Sequence, residues 1–167
     1  MVAADVFRRH DTARKVRLFD MFAGMTLPSE TDIGLQDGIG AAERFLANQT
    51  ATHNEWCYAS IEEVSRNFAS RGFHSVTLIK GDVVETLARS ENLPGSISVL
   101  RLDTDWYEST KAELEVLWPR LSIGGVLIVD DYGHWAGSKQ AVDEYFSASP
   151  PLMHYVNYTV RTIIKLA

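Results

Sequence analysis

Ile97-Ser98-Val99-Leu100-Arg101-Leu102-Asp103-Thr104-Asp105 is an apolar run that ends in two acids, and Gly124-Gly125-Val126-Leu127-Ile128-Val129-Asp130-Asp131-Tyr132 is a second run of the same kind. Residues 107–121 lie between them and read as one amphipathic helix, with Leu114, Leu117, Trp118 and Leu121 at helical spacing. Strand, helix, strand is a parallel crossover, and it brings both strand ends to the same edge of a sheet. Open α/β sheets bind their ligands at that edge. Carboxylates crowded there repel unless a cation or a shared proton intervenes. Asp103, Asp105, Asp130 and Asp131 therefore predict a site for a hard divalent cation, which takes oxygen ligands and keeps some waters.

Outward from this unit the same alternation continues. Residues 2–10 read as the tail of a helix, and 15–20 as a short strand ending in Asp20. Residues 21–52 are irregular, with Pro28, Gly34, Gly38 and Gly40, apart from a helix at 41–47. A loop of that length in a compact domain is a candidate lid. Residues 60–71 open with a capping box, Ser60 and Glu63, carry Ile61, Val64 and Phe68 on one face, and close at Gly72. Residues 75–80 form the next strand, followed by Gly81-Asp82 and a helical segment before the strand at 97–102. Gly124-Gly125 turns the chain into a strand at 126–129, whose unbroken apolar run predicts cover on both faces. A helix at 138–146 buries Ala141, Val142, Tyr145 and Phe146, and strands at 153–157 and 159–166 form a closing antiparallel pair. The order predicts one doubly wound, mostly parallel sheet in a single domain over residues 1–167.

Composition narrows the function classes. The chain has 167 residues, 46% apolar and 23% charged, with a net charge of −6, which suits one globular domain. The acidic balance and the lack of a basic block argue against nucleic acid or an anionic membrane as partner. No apolar run approaches the roughly 20 residues of a membrane span. Cys57 is the single cysteine, so no internal disulfide forms; it is expected to be a packing residue, and the chain to be cytoplasmic. The five histidines lack metal-ligand spacing, which disfavours zinc; His134, beside Trp135, is a candidate pocket residue. Asp20 stands where dinucleotide-binding folds place the acid that accepts ribose hydroxyls, and Gly81-Asp82 where an adenine ring would lie; a surface turn and a helix cap explain these acids equally well. The absence of G-x-G-x-x-G disfavours a nicotinamide dehydrogenase.

Several segments together carry a family resemblance: RLDTDWYEST (101–110), LSIGGVLIVDDYG (121–133), KQAVDEYF (139–146), FDMFAGM (19–25), YASIEEVSRNFASRGF (58–73) and IKGDVVETL (79–87). The chain resembles the macrocin O-methyltransferase (TylF/MycF-type) family from about residue 16 to 165. The resemblance implies a class I methyltransferase fold, a Rossmann-like sheet. It also implies metal-dependent methyl transfer from S-adenosylmethionine to a sugar hydroxyl of a glycosylated small molecule. Asp103, Asp130 and Asp131 would hold Mg²⁺ or another hard divalent cation, Asp105 would be the general base, Asp20 would hold the cofactor ribose, and Gly81 and Asp82 would border its adenine. Two departures stand out. The family's first strand and glycine-rich cofactor loop are missing, so the chain alone is expected to bind S-adenosylmethionine poorly. Thr104 stands where the family often has glycine. Two other readings fit parts of the pattern: a metal-dependent glycosyltransferase, which also uses a strand-end D-x-D, and a methyltransferase-like module without catalysis. Homo-oligomerisation is left open.

Overall fold

A computed structural model describes residues 2–10 and 13–166. In chain order the elements are α1 (Val2–His10), β1 (Val16–Asp20), α2 (Ala41–Ala47), α3 (Ile61–Ala69), β2 (Val76–Lys80), α4 (Val83–Leu87), β3 (Ile97–Leu102), α5 (Tyr107–Leu117), β4 (Leu121–Val129), α6 (Ala136–Tyr145), β5 (Met153–Tyr155) and β6 (Arg161–Ile164). The chain divides into two compact units, one of residues 1–26 and 48–86, the other of residues 27–47 and 87–167. No helix among the described residues is long and apolar enough to cross a membrane.

In the first unit β1 and β2 pair in parallel, with Asp20 opposite Lys80. Ala4, Phe68 and Phe73 form a buried cluster, against which Val16, Leu18, Val64 and Val76 pack. Helices α1 and α3 thus bury their apolar stripes on this short sheet. The Ser60 hydroxyl accepts the Glu63 N–H at 3.2 Å, the first half of the expected capping box. The chain leaves α3 through Gly72, whose φ of +68° is open to glycine at little cost.

The second unit holds a four-stranded sheet in the order β3-β4-β6-β5. β3 and β4 are parallel; β6 runs antiparallel to both β4 and β5, so the closing pair forms as expected with β5 at the edge. Leu114, Leu127, Val129, Val142 and Ile163 are essentially inaccessible and form its centre.

The described ladders form two sheets, β1-β2 and the four-stranded one. Three expectations need correction. The helix after β3 ends at Leu117 and passes into a 3-10 turn over Trp118–Arg120, because Pro119 has no N–H to donate and its ring clashes with the preceding turn. Leu121 consequently begins β4 rather than closing a helix, and Gly124-Gly125 lie inside that strand instead of before it. There the Gly124 N–H donates to the Lys165 carbonyl at 2.7 Å and the Lys165 N–H returns to Gly125 at 2.9 Å, so the glycines are an irregularity within a ladder. Last, β4 is sealed on one face only. Leu127 and Val129 are buried, while Val126 and Ile128 stay half-buried.

Candidate metal and proton-transfer site

Register brings the acids together. Leu102 is opposite Val129, and the Asp130 N–H donates to the Leu102 carbonyl at 3.0 Å, so the next residues of both strands emerge side by side. Asp103, Asp130 and Asp131 each place one carboxylate oxygen within 4.8 Å of the others'. Asp105 stands beside this trio rather than in it. Its backbone turns through φ +68°, and the Trp106 N–H bonds back to Thr104 at 2.8 Å before α5 begins. The Arg101 guanidinium spans two of the trio, Nη1 to Asp103 Oδ2 at 2.6 Å and Nη2 to Asp130 Oδ2 at 2.8 Å.

The electrostatics are those of an overcrowded anionic pocket. Burial, then the hydrogen bond from Asp103 to Asp130, pushes the Asp103 carboxyl up to about 7, with Arg101 opposing. Burial and the charge of Asp131 push Asp105 up to about 8, and Asp105 shares a hydrogen bond with Asp131. Burial also raises Asp131, against the relief of that same bond. Burial first, and crowded negative charge after it, favours the protonated carboxyls here, a condition that a hard cation with oxygen ligands would relieve. The donor set fits such a cation: three carboxylates on two adjacent strand ends, with oxygens close enough to share one ion.

Three further residues shape the site. Glu113 on α5 is buried, accepts the Thr104 hydroxyl at 2.9 Å and is pushed by burial up to about 8. The signal for it was present: Glu113 lies four residues before Leu117, on the buried face. His134 carries a buried Nδ1 with no hydrogen-bond partner among the described residues, and its ring meets Trp135 and Tyr158 edge-on at 4.7 and 6.1 Å. Tyr158 arrives because the turn between β5 and β6 lies on Gly133, where a Cβ would stand 1.6 Å from the Tyr158 carbonyl oxygen. Asp32, in the expected lid, is buried and accepts the Tyr107 N–H at 3.0 Å across 75 residues of chain. No local pattern announces a contact of that range.

The residues expected to hold a cofactor lie in the first unit. Asp20 ends β1 and its carboxylate accepts the Phe22 N–H; burial raises its pKa, and that bond opposes the rise. The Gly81 N–H donates to the Asp20 carbonyl at 3.0 Å, so the ends of β1 and β2 are adjacent. Asp82 Oδ1 accepts the Val84 N–H at 2.8 Å and so caps α4. Cys57, expected to pack, is exposed instead, at φ +56° in a turn whose buried side chains are Asn54 and Trp56.

Comparison with known proteins identifies the family. The sequence matches the model of the family described as Macrocin-O-methyltransferase (TylF) over residues 1–154. It is 35% identical over 143 residues to a demethyldecarbamoylnovobiocin O-methyltransferase of Streptomyces niveus, covering 84% of this chain and 50% of that protein. It is 37% identical over 143 residues to the 8-demethyl-8-(2,3-dimethoxy-alpha-L-rhamnosyl)-tetracenomycin-C 4'-O-methyltransferase of Streptomyces olivaceus, with the same coverage of 84% and 50%. The chain thus spans about half the length of the curated relatives it matches. The solved structure of the O-methyltransferase NovP superposes with a TM-score of 0.79 at 28% identity, over 99% of this chain and 66% of that one, which identifies the fold as the Rossmann-like class I methyltransferase type. Because the family model matches residues 1–154 of this 167-residue chain, the chain belongs to the macrocin O-methyltransferase (TylF) family.

Proposed function

We propose that this protein is a metal-dependent O-methyltransferase that moves the methyl group of S-adenosylmethionine to a sugar hydroxyl of a glycosylated natural product. The observation that carries the reading is the carboxylate trio of Asp103, Asp130 and Asp131, with the protonatable Asp105 bonded to Asp131 beside it. Two relatives support the substrate class: both are named as O-methyltransferases, and one name specifies a 4'-hydroxyl methylation of a rhamnosyl-bearing compound.

A sugar hydroxyl is a poor nucleophile at neutral pH. A divalent cation held by Asp103, Asp130 and Asp131 would supply Lewis acidity toward that hydroxyl. Asp105, within reach of the same carboxylates, receives the proton as general base once it is itself ionised. Asp20, Gly81 and Asp82, at the adjacent ends of β1 and β2, are assigned to the adenosine part of S-adenosylmethionine. Transfer then depends on holding donor and acceptor in line, with reacting atoms about 3 Å apart.

The test is a transfer assay with S-adenosylmethionine carrying a labelled methyl, a panel of glycosylated acceptors and their aglycones, and Mg²⁺ with or without chelator. Label appearing on the sugar, only with acceptors that carry one and only without chelator, supports the reading. Label on aglycones, or transfer indifferent to chelator, overturns it.

A further inference from the structure

We propose that Asp32 is a positioning residue that clamps together the two turns carrying the acidic cluster. The inference rests on the metal reading above for what those turns do. Asp32 is 1% exposed. Its Oδ1 accepts the Tyr107 N–H at 3.0 Å, and its Oδ2 accepts both the N–H and the hydroxyl of Ser29 at 2.7 Å. Tyr107 is the first residue of α5, and the preceding Trp106 supplies no side-chain cap. The helix whose entry is the Asp103–Trp106 turn is therefore capped from elsewhere, by an anion where its dipole favours one.

The same carboxylate lies against the start of α6. A Cβ on Gly137 would stand 2.0 Å from Asp32 Oδ1, so glycine is what lets the two approach. The residues after Asp32 then bond along the second acidic turn. The Ile33 carbonyl accepts the Ala136 N–H at 2.8 Å, Gly34 bridges Trp135, and the Leu35 N–H donates to the His134 carbonyl at 2.8 Å. That turn is in turn closed on Asp131, whose carbonyl accepts the His134 and Trp135 N–H groups at 3.0 Å. The Asp32 side chain thereby holds the exit of β3, beyond Asp105, and the backbone that follows it, seated beside Gly137, holds the exit of β4, beyond Asp131. Residues 29–35 are in this respect a brace.

Residues that orient ligands without touching the metal typically change metal affinity by about 10–100-fold when altered. Mn²⁺ binding measured calorimetrically on the chain, well below every melting temperature, is the test. Asp32→Asn keeps shape but turns an amide donor toward a donor of Ser29 or Tyr107; Val142→Ala, a core change in the same unit, is the control for lost stability. The expected result is saturable Mn²⁺ binding by the wild type, weakened about tenfold or more in Asp32→Asn and unchanged in Val142→Ala. Should Asp32→Asn fail to fold, Ser29→Ala, which removes one hydroxyl donor, must still weaken binding beyond the control. Equal affinity in wild type and these variants, or equal loss in Val142→Ala, overturns the positioning role alone. A wild type that binds no Mn²⁺ overturns the metal reading and this inference with it.

Discussion

Arg101 places one guanidinium on two carboxylates that a cation would otherwise share, Asp103 at 2.6 Å and Asp130 at 2.8 Å. Its side chain is 53% exposed, so each pair is worth at most about 1 kcal/mol, and together they correspond to up to roughly thirtyfold in a competing equilibrium. Arg101→Gln should therefore tighten Mn²⁺ or Mg²⁺ binding several-fold, read by calorimetry; weaker binding would mean that Arg101 assists the ion instead of competing with it. Asp105 has its own signature. A general base acts only when ionised, and Asp105 keeps its proton up to about 8. Turnover should rise with pH toward that value and the rise should vanish in Asp105→Asn, whose metal affinity stays near that of the wild type. A profile flat between about pH 6 and 9 would remove Asp105 from the proton transfer. At this scale the strand-end acids were readable because each follows an apolar run, and parallel register aligns such ends. Arg101 was not, since a guanidinium two residues from an acid on a strand looks like any exposed charge until the partner strand supplies Asp130.

Helix α5 shows why an element is harder to read than its residues. Its buried positions include Ser109, Thr110 and Glu113 as well as Leu114 and Leu117, so the polar half of the inward face is hidden from a search for apolar spacing. Pro119 was the signal for its end, outweighed in the reading by the apolar residues beyond it. Glu113 gives the element a titration of its own. The folded chain holds its proton up to about 8, against 4.5 ordinarily, so the native state binds the proton more tightly than the unfolded one. Stability is then complete at low pH and falls as pH climbs from 4.5 toward about 8, where both states have ionised. Glu113→Gln keeps an acceptor for the Thr104 hydroxyl and removes the titration. Thermal melts across this range should fall less steeply for the variant; parallel curves would show that Glu113 is ionised in the fold throughout.

Across the whole molecule, the alternation of strands and helices was sufficient to recognise the α/β class, and the family match agrees with it. The partial cover of β4 was not legible, because what packs on a strand's two faces is a property of the assembled sheet and not of the strand's own residues. Val99, Val126 and Ile164 lie in one register row on its less covered face, with Val99 43% and Ile164 57% exposed. Exposed apolar side chains that lie together attract apolar probes. Val99→Thr with Ile164→Thr should lower binding of a hydrophobic dye and self-association in sedimentation while leaving the melting temperature nearly unchanged; unchanged dye binding would show that the row is covered in solution.

The account stands on Asp103, Asp130 and Asp131 sharing one cation. Crystals soaked in Mn²⁺, measured at a wavelength where manganese scatters anomalously, test this most directly. The account predicts a single strong anomalous peak bounded by carboxylate oxygens of these three residues, with the Arg101 guanidinium displaced from between Asp103 and Asp130. A peak elsewhere, or none while the guanidinium keeps its place, would contradict it.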